Sequence, residues 1–119
     1  MNTRRHVLFA LLAGSAVLAG CASPQVTDYV KQRPKLELDR YFNGRLHAYG
    51  LFQKRGGEVV RRFTVVMDCH WEGNQGVLDE SFTYSDGTTQ RRVWHLTKLE
   101  GGRYTGRAGD VVGEAQGQE

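Results

Sequence analysis

The sequence predicts an all-β domain, an antiparallel meander closing as a barrel or sandwich, on three observations. Glycine supplies 15 of the 119 residues, and the chain has almost no uninterrupted 3.6-residue apolar period. Apolar and polar residues instead alternate through successive runs, the period of a strand with one buried face. Each run stops at a turn-forming pair, among them Gly56-Gly57, Gly73-Asn74, Asp86-Gly87 and Gly101-Gly102. Short strands at regular spacing with such turns between them form barrels and sandwiches.

The first segment, residues 1–20, is of a different kind. Arg4, Arg5 and His6 precede an apolar run from Val7 to Leu18, and the segment closes on Leu18-Ala19-Gly20-Cys21. A positive start, an apolar middle and small residues at the end are the parts of a secretory signal. The closing string resembles the lipobox of bacterial lipoproteins, in which the Cys thiol is acylated and the chain is cut before it. Residues 1–20 are therefore predicted as a signal peptide cleaved between Gly20 and Cys21, with Cys21 as the lipidated residue. The alternatives are an ordinary secretory signal that contains a cysteine, or an uncleaved anchor. The apolar run falls short of the roughly 20 residues that a transmembrane helix needs.

Residues 21–35 follow as a polar tether carrying Pro24 and Pro34. Residues 36–119 form the predicted β domain. Leu36, Leu38 and Tyr41-Phe42 read as a helical turn or a first strand, ended by Asn43-Gly44. Strands are predicted over 45–54, 58–71, 77–84, 89–99, 104–108 and 111–117. In the second run Val59, Phe63, Val65, Met67, Cys69 and Trp71 share one face with Arg61, while Arg62, Thr64, Asp68 and His70 share the other. Leu78, Phe82 and Tyr84 of the third run, and Trp94 and Leu96 of the fourth, belong to the same buried face. Glu80 and Arg92 fall in that phase too.

The turn between the third and fourth runs sets their register. A three-residue turn, Ser85-Asp86-Gly87, with Gly87 left-handed in a bulge, pairs Tyr84 with Thr88. Phe82 then faces Gln90, Glu80 faces Arg92 and Leu78 faces Trp94. A two-residue turn shifts the register by one. The first register keeps the apolar residues on one face, and it predicts a bidentate Glu80–Arg92 ion pair there.

Charge and motifs exclude several functions. The formal net charge of +3 falls to +1 without residues 1–20, which carry Arg4 and Arg5 and no acid. No basic surface able to track a phosphate backbone follows, so nucleic acid is not an expected partner. No serine lies in a Gly-x-Ser-x-Gly elbow and no phosphate-cradling loop is present. No catalytic residues and no cofactor are assigned. His47, His70 and His95 come from three runs, with His70 on a polar face, and read as surface residues instead of metal ligands. With Cys21 acylated, Cys69 has no intramolecular disulfide partner and reads as a buried, inert thiol. Arg61-Arg62 and Arg91-Arg92 read as solvated edges, with a membrane-facing role as the alternative.

Several strings resemble one family. Tyr41-Phe42-Asn43-Gly44, Gly50-Leu51-Phe52, the run from Leu78 to Gly87, Arg92-Val93-Trp94 and the run from Gly106 to Gly113 match, in order and spacing, the bacterial DUF3833 family. These are lipoprotein-like envelope proteins without an assigned activity. The resemblance implies a lipocalin-like (calycin) barrel of the kind that encloses a small apolar ligand. Family members continue with further strands, so this chain is expected to form an incomplete barrel, truncated at its C-terminal side. Ala22 after the lipidated cysteine implies sorting to the outer membrane. The expected function is a membrane-anchored envelope lipoprotein binding a lipid or other lipophilic small molecule. The candidate pocket is Phe63, Trp71, Glu80, Phe82, Tyr84, Arg92 and Trp94, with Glu80 and Arg92 as its polar floor. The alternative is a structural or accessory envelope lipoprotein, its barrel filled by the same side chains, acting through protein contacts.

Overall fold

The computed structural model describes residues 23–119, so the predicted signal segment, its predicted cleavage between Gly20 and Cys21 and the predicted lipidation of Cys21 lie outside the described residues. The chain divides into two units, the second beginning at Pro34. The described part of the first unit is exposed throughout. It carries one 3-10 turn at Val26–Tyr29, closed by the Gln25 N–H donating to the Asp28 carboxylate at 2.9 Å.

The second unit opens with a single helical turn, α1 (Leu38–Tyr41), and continues as six strands. They are β1 (Gly44–Gln53), β2 (Val59–Glu72), β3 (Gln75–Tyr84), β4 (Thr89–Lys98), β5 (Arg103–Ala108) and β6 (Ala115–Gln118). Each strand pairs antiparallel with the next in the order β1-β2-β3-β4-β5-β6, and the sheet curls into a half-barrel. The fold is all-β and matches an incomplete calycin-like barrel.

The β3–β4 hairpin has the three-residue turn. Tyr84 N–H donates to Thr88 C=O, Gly87 N–H donates to Tyr84 C=O, and Gly87 takes a φ of +83°. Phe82 faces Gln90, Glu80 faces Arg92 and Leu78 faces Trp94. The last strand differs from expectation, starting at Ala115 instead of Val111. Val111 and Val112 have strand-forming side chains, but Val111 N–H closes a turn onto Ala108 and Val112 is fully exposed. Gly113, at φ +77°, then redirects the chain into β6.

The sheet's curl has a local cause. Three glycines on its concave face stand directly opposite a large side chain of the neighbouring strand: Gly50 opposite Phe63, Gly76 opposite Trp71, and Gly106 opposite Leu96. A Cβ at these glycines would lie 2.2 Å from the Phe63 ring, 2.6 Å from Trp71 and 2.6 Å from Leu96. Without a Cβ the large residue lies flat over the adjacent strand, and the strands close up on the concave side.

The core occupies that concave face. Val65, Met67, Cys69, Leu78 and Tyr104 are buried, and Phe42, Leu46, Phe63, Trp71, Phe82 and Trp94 are among the partly buried residues packed around them. The convex face carries charge. Arg45 binds Asp68 through two N–H donors, and Arg91 binds Asp79 in the same way. Such exposed pairs are screened by solvent and contribute little, so the fold depends on the concave side.

Candidate functional site

Two adjoining clefts open on the concave face. The first, about 360 Å³, is lined by Leu46 and Ala48 of β1, Phe63, Val65 and Met67 of β2, Phe82 of β3, and Arg92 of β4. The second, about 250 Å³, is lined by Leu38, Leu78, Trp94, Leu96 and Tyr104. Phe42 and Glu80 line both clefts. Phe42 is placed by its position just after α1, where its N–H donates to Leu38 C=O and its C=O accepts from the Trp71 indole N–H at 2.8 Å.

Glu80 is the acid of this face. Its side chain is 14% exposed, and its Oε2 is buried with no hydrogen-bond donor in reach. The bidentate pair expected with Arg92 is corrected by the structure. The two residues face each other, but the nearest approach, Arg92 Nη1 to Glu80 Oε2, is 3.9 Å. Arg92 instead gives Nε and Nη2 to the carboxylate of Asp110, in the β5–β6 connection, at 2.7 to 3.0 Å. The curl of the sheet brings that loop over β4, and its carboxylate accepts the two donors in better geometry than the cross-strand neighbour can. Burial pushes the Glu80 carboxyl up, Arg92 opposes the rise and Asp110 adds to it. Asp110 is held low by the hydrogen bonds from Arg92.

The remaining predicted pocket residues separate along the barrel. Phe63, Glu80, Phe82 and Arg92 meet in the first cleft, and Trp94 lines the second with Glu80. Trp71 and Tyr84 line neither. Trp71 braces α1 through its indole N–H and meets the Tyr104 ring edge-on at 6.1 Å. Tyr84 lies at the opposite end, where the Arg61 guanidinium stacks 3.6 Å from its ring centroid and its hydroxyl donates to Gln90. Arg61 also pairs with Asp86 at 2.9 Å. Phe42 and Asp110 complete the site and were not among the predicted pocket residues. Both lie in strings that carry the family resemblance, which was the signal available for them.

Cys69 is buried in the core, and burial raises its thiol pKa, which keeps it protonated and unreactive. His70 is exposed beside Glu72, and no metal-holding cluster occurs among the described residues. A surface depression of about 630 Å³ lies between Arg91, His95, Arg107 and Asp110. Its arginines are already committed to Asp79, Asp110 and Glu114. The concave clefts, mainly apolar with Glu80, Arg92 and His47 in the first and Glu80, Thr105 and Gln116 in the second as their polar members, have the make-up of a small-molecule site. They present a surface for an apolar body and one acceptor for its polar end.

The model of the DUF3833 family, described as a protein of unknown function, matches residues 15–119. No curated protein and no solved structure matches the chain.

Proposed function

The chain belongs to the DUF3833 family, and from that premise we propose a membrane-tethered module that binds a lipid or other lipophilic small molecule in its concave face. The observation that carries this reading is the pair of adjoining clefts, walled by half-buried Phe63, Phe82 and Trp94 and left unfilled by the chain's own side chains. Burying apolar surface there releases about 25 cal/mol per Å², which a lipophilic ligand supplies and water does not. The tether reading draws on Arg4, Arg5, the apolar run and Leu18-Ala19-Gly20-Cys21. The family match begins at residue 15 and takes in that last string. Two or three acyl chains on Cys21 hold a protein at a membrane, because a single chain anchors only marginally. Sorting to the outer membrane, on the periplasmic side, is part of the same reading and draws on Ala22.

The test of binding is organic extraction of the full chain purified from membranes, followed by mass spectrometry. The expected result is a co-purifying lipophile at near-equal molar amount, lost when Ala48→Phe fills the first cleft. An extract empty of lipophile, with the same result after incubation with mixed membrane lipids, overturns the reading. The anchor is tested separately: Cys21→Ser should abolish acyl labelling and lipoprotein-type processing, and labelling that persists rejects the lipidation site. The second reading, an accessory lipoprotein acting through protein contacts, draws on the exposed Tyr49, Leu51, Phe52 and Val60 of β1 and β2. It gains ground if the extract is empty.

A further inference from the structure

Glu80 stands on the wall shared by the two clefts, and its surroundings are short of hydrogen-bond donors. Its register partner on β2 is Met67, which has none to give. Its register partner on β4 is Arg92, whose Nε and Nη2 are both taken by Asp110. What remains is Oε2, buried and unpartnered, 3.9 Å from Nη1. A buried acceptor left unmade costs roughly 1–3 kcal/mol, and more when the group is charged. A ligand that brings a donor to this atom recovers that cost on binding.

The sign of the local charge narrows the donor further. Two carboxylates, Glu80 and Asp110, share the single guanidinium of Arg92, so this spot on a mainly apolar face carries surplus negative charge. A head group with a negative charge of its own, such as a fatty acid carboxylate, meets like charge from Glu80 and Asp110, and of the Arg92 donors only Nη1 is not already given to Asp110. A hydroxyl or an ammonium finds an acceptor. Resting on the proposed binding function, we infer that the concave face selects lipophiles whose head group donates a hydrogen bond to Glu80 Oε2, long-chain alcohols or amines, over carboxylate-headed chains of the same length. The ligand's apolar tail lies along the first cleft beside Phe63 and Phe82, and its head sits at the boundary with the second.

The experiment is native mass spectrometry of the full chain titrated at pH 7.5 with dodecanol, dodecylamine and dodecanoate, one at a time. The expected result is occupancy by the alcohol or the amine at concentrations roughly tenfold or more below dodecanoate, the scale of one hydrogen bond to a charged group. In Glu80→Met, of similar size but without an acceptor, the three ligands should converge. In Glu80→Gln, which keeps a carbonyl oxygen, loses the charge and gains an NH2 donor, the alcohol should change least, the amine should weaken and dodecanoate should tighten. Both variants are checked for a cooperative melt and wild-type β-sheet content before titration. Dodecanoate binding as tightly as dodecanol overturns the inference and leaves the binding function standing. A preference unchanged in Glu80→Met overturns the role of Glu80. Failure of all three ligands to bind the wild-type chain overturns the binding function itself.

Discussion

The two ends of the half-barrel are built from similar residues and do different things with them. At the end where α1 lies, aromatic and polar groups are locked to one another. The Trp71 indole N–H is held by Phe42 C=O, Lys98 reaches Asp39 at 2.7 Å, and the Tyr104 hydroxyl lies 3.2 Å from the Glu119 carboxylate, which also accepts Leu38 N–H. The buried core residues Cys69, Leu78 and Tyr104 gather here. At the other end Phe52, Phe63, Phe82 and Tyr84 form a chain of ring contacts, 5.2 to 6.0 Å between centroids, yet none of the four is buried. One end is a packed core and the other a lined groove. The difference comes from α1 and the carboxylates that fasten it, and the amount of aromatic surface has little to do with it.

The largest effect expected from this contrast is in a pair of truncations. Tyr104→Ala, which empties a buried site under α1, should cost about 3–5 kcal/mol in urea unfolding. Tyr84→Ala, at the open end, should cost under about 1 kcal/mol, since it removes only half-exposed packing and the stacked Arg61. Equal costs would break the contrast. A smaller and sharper test uses two glycines that each lie beneath an aromatic ring. Gly76→Ala should destabilise by roughly 1–3 kcal/mol, because Trp71 is held by Phe42 and cannot give way. Gly50→Ala has the closer clash on paper, but the Phe63 ring can swing into the open cleft, so its cost should be the lesser. Thermal melting of the two variants side by side measures the ordering, and a reversed order would mean that the groove is as tightly packed as the core.

The smallest expected effects are in pH. Asp86 accepts hydrogen bonds from the Thr88 N–H and hydroxyl, assisted by Arg61, and its pKa falls from 3.8 to about 2. A folded-state value below the unfolded one means that its contribution is present above pH 4 and is lost as pH falls toward 2. Glu80 has the opposite sign. Its raised pKa means that stability is greatest below its ordinary value of 4.5 and declines as pH rises through the folded value. Urea midpoints from pH 2 to 7 should therefore rise and then dip. Asp86→Asn should flatten the acid limb and Glu80→Gln the decline above it. A profile that Glu80→Gln leaves untouched would show that the carboxyl is solvated after all.

Much of this architecture is legible in residue order alone, for a definite reason. In a meander each strand pairs with its chain neighbour, so turn chemistry and period-two alternation together settle faces and register. A three-residue turn at Ser85-Asp86-Gly87, chosen because it keeps Leu78, Phe82, Tyr84, Trp94 and Leu96 on one face, places Glu80 opposite Arg92. Alternation identifies a face, however, and is silent about position along it. Trp71 and Tyr84 share parity with Phe63 and Phe82, and only the location of α1 shows that one is a brace and the other a rim residue. Asp110 escaped for a related reason: its contact with Arg92 arises from the curl carrying the β5–β6 connection over β4, and no pairwise register contains it. Val111-Val112 misled because β-branched side chains advertise a strand even where a turn claims the backbone.

The fastening of α1 also bears on the order in which the domain assembles. Every strand pairing joins consecutive strands, so the sheet can grow hairpin by hairpin with little loop-closure cost at each step. The bonds from α1 are of another kind, because Leu38 to Glu119 and Asp39 to Lys98 span 81 and 59 positions of the chain. Lys98 ends β4 and Glu119 follows β6, so the Leu38–Glu119 contact needs all six strands in place. Contacts of such long range are expected to form late in folding and to act mainly on the unfolding rate. Removing the Glu119 carboxylate, as in Glu119→Gln, should speed unfolding while leaving the folding rate nearly unchanged.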